Sequence, residues 1–365
     1  MQPFTWQGLP ARVVFGSGTV GELRAEAGRM KLSRLLVLCT PGQSRLAARI
    51  AGVLDGLAAG TFEEAAMHTP VEVTERAVRQ ATVLRADGLV AVGGGSAIGL
   101  GKAVAWRTDL PQLVIPTTYS GSEMTAILGE TAAGAKTTLT SARVQPEVVI
   151  YDVELTLGVP ARVAGVSGMN AIAHAVEALY ARERNPVIRL LALEGIAALA
   201  GALPAVVTDP ADRDARSRAL YGAWLCGICL GSVGMALHHK LCHVLGGVFG
   251  LPHAGTHAVL LPHTLAYNLA AIEQPDALAA ALGAADAVQG IVELGRRAGA
   301  PAALRDLGMP ADGVERAAAA AMADAYWNPL PVEERALREL IARAQRGDPP
   351  QRQELALEPR GPTRA

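Results

Sequence analysis

Net charge is almost absent from this 365-residue chain: 33 Lys and Arg stand against 34 Asp and Glu, leaving −1. With no excess of either sign there is no electrostatic reason to expect nucleic acid or a membrane surface as partner, and small molecules become the expected ligands. Cysteine is scarce as well. Cys39, Cys226, Cys229 and Cys242 suit a reduced compartment. The single C-x-x-C, Cys226 to Cys229, sits in an apolar, glycine-rich segment without a second pair at zinc-ribbon spacing. Both are read as buried helix-packing thiols. No uninterrupted apolar run of about 18 residues suggests a membrane span. Met1 to Gly16 also lacks the basic stretch, apolar run and small-residue cleavage site of a secretory signal. The expectation is a soluble cytoplasmic protein, and no internal repeat is visible.

What is present is enough chain for two domains of roughly 150 to 200 residues, with half of the residues apolar. Early in the sequence, β-type runs alternate with alanine-rich helical stretches. Leu35 to Cys39 precedes Arg45 to Leu57, Val73 to Arg85 precedes Gly88 to Val92, Ala97 to Trp106 precedes Leu113 to Ile115, and Val148 to Tyr151 closes the series. Strands written as continuous apolar runs predict a parallel sheet covered on both faces. This makes 1–157 an α/β nucleotide-binding domain. After Pro160 long Ala/Leu segments take over, predicting an all-α domain over 158–344. The polar, proline-rich stretch 345–365 reads as a disordered tail, and the cleft between two such domains is a common ligand site.

Strand-like Gly88 to Val92 runs directly into Gly93-Gly94-Gly95-Ser96 and then a helical stretch. Glycines let backbone amides approach an anion and a helix N-terminus adds partial positive charge, so this turn can hold a pyrophosphate. It is not the G-x-G-x-x-G fingerprint, and such turns also occur without a ligand. A second loop, Pro116-Thr117-Thr118-Tyr119-Ser120-Gly121-Ser122-Glu123, follows the next strand, where open α/β sheets bind ligands. Its hydroxyls suit phosphate, ribose or carboxamide contacts, or simply cap a polar loop.

Six of the eight histidines fall between His238 and His263. Asn170 and His174 are four apart, as are His239 and His243, so each pair lines one helical face. His253 follows the break Gly250-Leu251-Pro252, which can return the chain to the same point. A lone histidine of this kind is usually a satisfied imidazole. The set, with helical spacing kept twice, reads as a site for a divalent ion or for proton transfer.

Taken together, the glycine turn, the Pro116-Thr117-Thr118 loop, Gly168-Met169-Asn170 with His174, and His239, His243 and Leu251-Pro252-His253 resemble the iron-containing alcohol dehydrogenase family. The likeness runs from about Phe15 to about residue 335. It implies the dehydroquinate synthase-like fold of that family, an N-terminal dinucleotide-binding domain and a C-terminal helical domain. It also implies a homodimer and a nicotinamide cofactor, NADH or NADPH, in the cleft. Carried over by position, Gly94, Gly95 and Ser96 contact the pyrophosphate, Thr117, Thr118 and Ser122 the loop side of the cofactor, and Lys136 its ribose. Thr40 falls where many relatives hold an aspartate on the adenosine ribose, which weakens discrimination against a 2′-phosphate.

Metal-dependent relatives hold their ion with an aspartate and three histidines, which map onto Asn170, His174, His239 and His253. An amide in place of the carboxylate removes the anionic ligand, so no tightly bound metal is expected. Matches through Tyr119-Ser120-Gly121-Ser122-Glu123-Met124-Thr125 and from His253 to His263 imply reduction of the carbon–carbon double bond of maleylacetate, a small oxo-dicarboxylate, to 3-oxoadipate in aromatic-compound degradation. The reading assigns proton transfer to His243 or His253, and substrate contacts to Asn170, His174, His239, Lys240 and His257, with His238 a further candidate. Gly99, where metal-dependent relatives usually carry aspartate, is expected to remove a second carboxylate. The rivals are a metal-dependent alcohol or polyol dehydrogenase in which Asn170 still ligates, a lyase on the same fold, and a non-catalytic dimeric binding protein.

Overall fold

The computed structural model describes residues 4–6, 8, 12–132, 135–324 and 326–352, with the side chains of Ala135 and Lys136 left out. Eight strands are described: β1 Arg12–Gly16, β2 Leu35–Leu38, β3 Ala58–Phe62, β4 Gly88–Gly93, β5 Gln112–Pro116, β6 Ile127–Ala132, β7 Ala135–Thr140 and β8 Val148–Asp152. Six of them form a parallel sheet in the order β1-β8-β5-β4-β2-β3, and β6 and β7 make a separate antiparallel hairpin.

The sheet is apolar on both faces because successive side chains alternate. Leu35, Val37, Val90 and Val92 meet the helices Leu23–Arg29 and Ser44–Val53 on one side. Leu36, Leu38 and Leu89 meet Val71–Val83 and Gly95–Thr108 on the other. β1 and β3, the two edges, were not among the expected strands. β3 reads Ala-Ala-Gly-Thr-Phe and is only half-buried over its first four residues, so it lacks the continuous apolar run that marks a central strand.

Beyond β8 the described elements are helical. The helix Ala161–Tyr180 is buried at every position from Ser167 to Tyr180, which makes it the axis of the helical half. It packs against Pro186–Thr208 and Arg213–Ser232. Asn185 starts Pro186–Thr208, its side chain accepting from the amides of Val187 at 3.0 Å and Ile188 at 3.1 Å, with proline at the first turn. By length and composition this helix could cross a membrane. Here it is a core helix, burying Ile188, Ala192, Ile196, Leu199, Leu203 and Val206. The cysteines are free and buried, Cys226 and Cys229 inside Arg213–Ser232 as expected.

The two halves meet at β1 and β8. Phe15 and Tyr151 lie 6.1 Å apart by ring centroid and 6.2 Å each from Trp224. At the other end, the helix Glu334–Arg346 buries Leu337, Leu340, Ile341 and Ala344, runs two residues into the stretch expected to be a tail, and is closed by Gly347 at φ 79°. Arg346 pairs with Asp348 at 2.7 Å, and Arg352 with Asp286. The rest of that stretch, 353–365, lies outside the described residues.

Candidate active site

β4 ends at Gly93, with φ 141°, and Gly94 opens the helix Gly95–Thr108 without any side-chain cap. The first amides of that helix are therefore left for a ligand. The second loop closes over them. A Cβ on Gly94 would lie 3.0 Å from Thr118 Oγ1, and one on Gly93 would collide with Gln43 Oε1. Thr40 Oγ1 donates to Gln43 Oε1 at 3.2 Å, and Gln43 Nε2 donates to Thr117 Oγ1 at 3.3 Å. Thr40, Gly94, Thr117 and Thr118 thus share one rim, with Gln43 as a link the sequence did not reveal. Ser96 lies half-buried in the first turn of the helix. Lys136 lies in β7, but its side chain is outside the described part of the chain.

Beneath the loop is Lys102, fully buried, whose Nζ donates to the carbonyls of Ser122, Thr125 and Ile127 at 2.5, 2.7 and 2.9 Å and to Thr125 Oγ1 at 2.8 Å. Burial pushes its pKa down to about 7 against the opposing pull of Glu123. Burial likewise raises Glu123, which accepts from Tyr151 Oη at 3.0 Å and Ser120 Oγ at 3.2 Å. This clamp fixes where Ser122 stands. Gly99 gains a packing role: a Cβ there would lie 2.5 Å from Thr69 Oγ1, so the position leaves no room for a side chain of any charge unless Thr69 shifts.

The histidine half begins on Ala161–Tyr180, where Asn170, His174 and Glu177 follow one another at spacings of four and three. Leu237–Phe249 brings His238, His239 and His243, and His253–Asn268 brings His253 and His257. Gly250, at φ 68°, makes the return between those two helices. His239 lies 5.1 Å from His174, 4.8 Å from His257 and 6.2 Å from His243 by ring centroid, and His253 lies 4.3 Å from His257. The two halves of the site touch at Gly121, where a Cβ would be 3.2 Å from both His174 Nδ1 and the Gly227 backbone.

Burial first, then the neighbouring rings, holds His174, His238 and His257 well below the usual histidine pKa. Asn170 Oδ1, His174 Nδ1 and His257 Nε2 are buried without hydrogen-bond partners among the described residues. Such orphans are costly unless a ligand satisfies them. Lys240 does not join the cluster. One position round the helix from His239, it sits 3.7 Å from Asp324 and 5.4 Å above the Tyr326 ring, which leaves its expected pairing with a substrate carboxylate without geometric support.

Residues 10–153 match the iron-containing alcohol dehydrogenase family, and residues 164–345 match the C-terminal region of the Fe-containing alcohol dehydrogenase family. The chain belongs to this family. It is 55% identical over 353 residues to a maleylacetate reductase of Rhizobium sp. (strain MTP-10005), covering 96% of this chain and all of that one. A maleylacetate reductase of Burkholderia cepacia is 52% identical over 348 residues, covering 95% of this chain and 99% of that one. The crystal structure of maleylacetate reductase from Agrobacterium tumefaciens superposes with a TM-score of 0.92 at 54% identity, covering 96% of this chain and all of that one.

The positions that the resemblance maps onto the family's ion ligands, Asn170, His174, His239 and His253, carry one amide and three imidazoles and no carboxylate, a poor match to a catalytic divalent ion. Beside them stands a carboxylate that the sequence reading did not single out. Glu177, fully buried, bonds His239 Nδ1 and accepts the backbone amides of Ala236 at 3.1 Å and His238 at 3.0 Å. Its oxygens are spent behind His239, fixing that ring's orientation. Among the described residues, the His/Cys/Asp/Glu group whose ligand atoms lie within 4.8 Å of one another is a different one, His238, Cys242 and His257.

Proposed function

We propose that this chain is an NADH- or NADPH-dependent reductase that converts maleylacetate to 3-oxoadipate without a catalytic metal. The observation that carries the reading is the contact at Gly121, where the loop that closes over an uncapped helix N-terminus suited to a pyrophosphate touches a buried set of imidazoles. High identity over the full length to named maleylacetate reductases supports it.

The uncapped turn and the rim around Gly94 fit a dinucleotide, which when bound supplies a hydride. Hydride added to the alkene carbon β to the ketone breaks the π bond and leaves an enolate. A proton on the α carbon completes 3-oxoadipate. Because the enolate spreads its charge over carbon and oxygen, hydrogen-bond donors worth roughly 3 to 4 kcal/mol each at a developing oxyanion can replace a Lewis acid. We assign the orientation of the oxo group to Asn170, His174 and His239, and the proton to His243 or His253. We place the enzyme as a homodimer on the family likeness, and in the cytoplasm on the sequence reading.

A metal-dependent alcohol dehydrogenase has one observation on its side, the carboxylate behind His239, an arrangement that also backs metal-bound histidines. One preparation separates the two. Maleylacetate-dependent loss of the reduced-nicotinamide absorbance, unchanged after exhaustive chelation and with substoichiometric metal by elemental analysis, is expected. Stoichiometric zinc or iron whose removal abolishes turnover would sink the metal-free mechanism, and failure to consume maleylacetate would sink the substrate assignment.

A further inference from the structure

The clustered imidazoles differ in what stands behind them. His239 leans on Glu177, whereas His257 leans on His238, which leans on Thr264. His257 Nδ1 lies 3.0 Å from His238 Nε2, and His238 Nδ1 lies 2.9 Å from Thr264 Oγ1. His238, His257 and Thr264 are all completely buried, and His257 Nε2 has no partner among the described residues. Neither ring meets a carboxylate through these bonds, and an unpaired charge so deeply buried is costly, so each carries a single ring proton.

Two proton arrangements are open to this chain of groups. In one, the Thr264 hydroxyl donates to the helix carbonyls of Leu260 at 3.1 Å and Leu261 at 3.2 Å. Its oxygen then accepts His238 Nδ1–H, and the bare His238 Nε2 accepts His257 Nδ1–H, with the Cys242 thiol 3.7 Å from the same nitrogen. Both ring N–H groups and the hydroxyl are used, and a lone pair on His257 Nε2 is left over. In the other arrangement each proton is reversed, which leaves an N–H on His257 Nε2 with no acceptor and deprives the Cys242 S–H of His238 Nε2. An orphaned buried N–H is the rarer defect, so the first arrangement wins.

We infer that Thr264 and His238 are positioning residues that lock His257 as its Nδ1–H tautomer and hold its Nε2 lone pair as a hydrogen-bond acceptor inside the histidine cluster. The group this acceptor takes is an O–H or N–H donor, such as an enol hydroxyl or a carboxamide. A carboxylate would meet it lone pair to lone pair, which replaces the substrate-carboxylate contact expected for His257. The inference deepens the proposed site and rests on it for the kinetics. The tautomer, however, belongs to the ligand-free chain and stands even if maleylacetate is not the substrate.

The test is the nitrogen-15 spectrum of the full-length protein labelled at histidine, with the His257 signals assigned by comparison with His257→Gln. The wild-type protein is expected to show protonated Nδ1 and bare Nε2 at His257. A protonated Nε2 overturns the inference whatever the variants do. Thr264→Val, near-isosteric but without the hydroxyl, is expected to lose the single-tautomer signature and about tenfold in kcat/KM, the equivalent of one buried hydrogen bond. Thr264→Ser should restore both. If Thr264→Val keeps the wild-type spectrum and kinetics, the lock does not exist, and should that variant fail to fold, the wild-type spectrum still decides.

Discussion

At the glycine turn the chain offers a ligand its backbone, and at the histidine cluster it offers side chains. Around Gly93 and Gly94 the neighbours Gln43 and Thr118 stand so close that any added Cβ meets them. Around His239 and His257 the neighbours are partners, Glu177, His238 and Thr264, each holding a ring by a hydrogen bond. The first region fails when atoms are added and the second when they are removed. A backbone surface specifies shape and phosphate contact, whereas a side-chain cluster can move protons.

The harshest way to test that contrast is His243→Ala. Turnover is expected to fall about 100-fold or more, the usual worth of a positioned acid, while the KM for the reduced cofactor stays near the parent value. A parent-like kcat would remove His243 from proton transfer. Next comes Glu177→Gln, which keeps an acceptor oxygen but replaces the carboxylate. A loss of about tenfold or more in kcat is expected, as for other groups that orient an active imidazole, and pre-steady-state cofactor titration should show unaltered binding. Gly94→Ala should do the reverse. Overpacking against Thr118 at about 1 to 3 kcal/mol raises the cofactor KM roughly tenfold with kcat retained, and a change in kcat alone would contradict the backbone-site reading.

The smallest effect is one of stability. His174, His238 and His257 are held neutral, so below 6.5 and down to their lowered pKa values the unfolded chain binds protons the folded chain does not. Stability therefore rises with pH across that window and falls on acidification, by up to about 1.4 kcal/mol per pH unit for each ring. Lys102 acts in a separate window. Its folded pKa of about 7 lies below the ordinary lysine value of 10.5, so between those values the unfolded chain binds the extra proton and stability again rises with pH. Thermal unfolding across the pH range checks both. His257→Gln should flatten only the acid limb and Lys102→Met only the alkaline one.

Sequence pattern exposed the central strands and the helical spacing because both rest on local periodicity. β2, β4, β5 and β8 are built on continuous apolar runs, while β3 carries its glycine at an edge strand and β6 and β7 are threonine-containing strands of a hairpin. The rings were visible as a dense set, but their supports were not. Glu177 is a single acid in an alanine-rich helix, a pattern usually read as a solvated face. Its three-residue offset from His174 was the available signal. Thr264, seven residues after His257 on one helix face, looked like any interior threonine. Lys102 gave no signal of its own because its partners are loop carbonyls, brought beneath it only by tertiary folding.

Gly121 and Gly227 pack so closely that a methyl group on either would lie 3.2 Å from the other's Cα. At that point the wall dividing the loop from the first imidazole is one main chain thick. A methyl there would push the loop outward by a few tenths of an ångström, in a reaction where a displacement of about 1 Å can lower rates by about 100-fold. The spacing between the loop and that imidazole is thus set by matter that two residues do not possess.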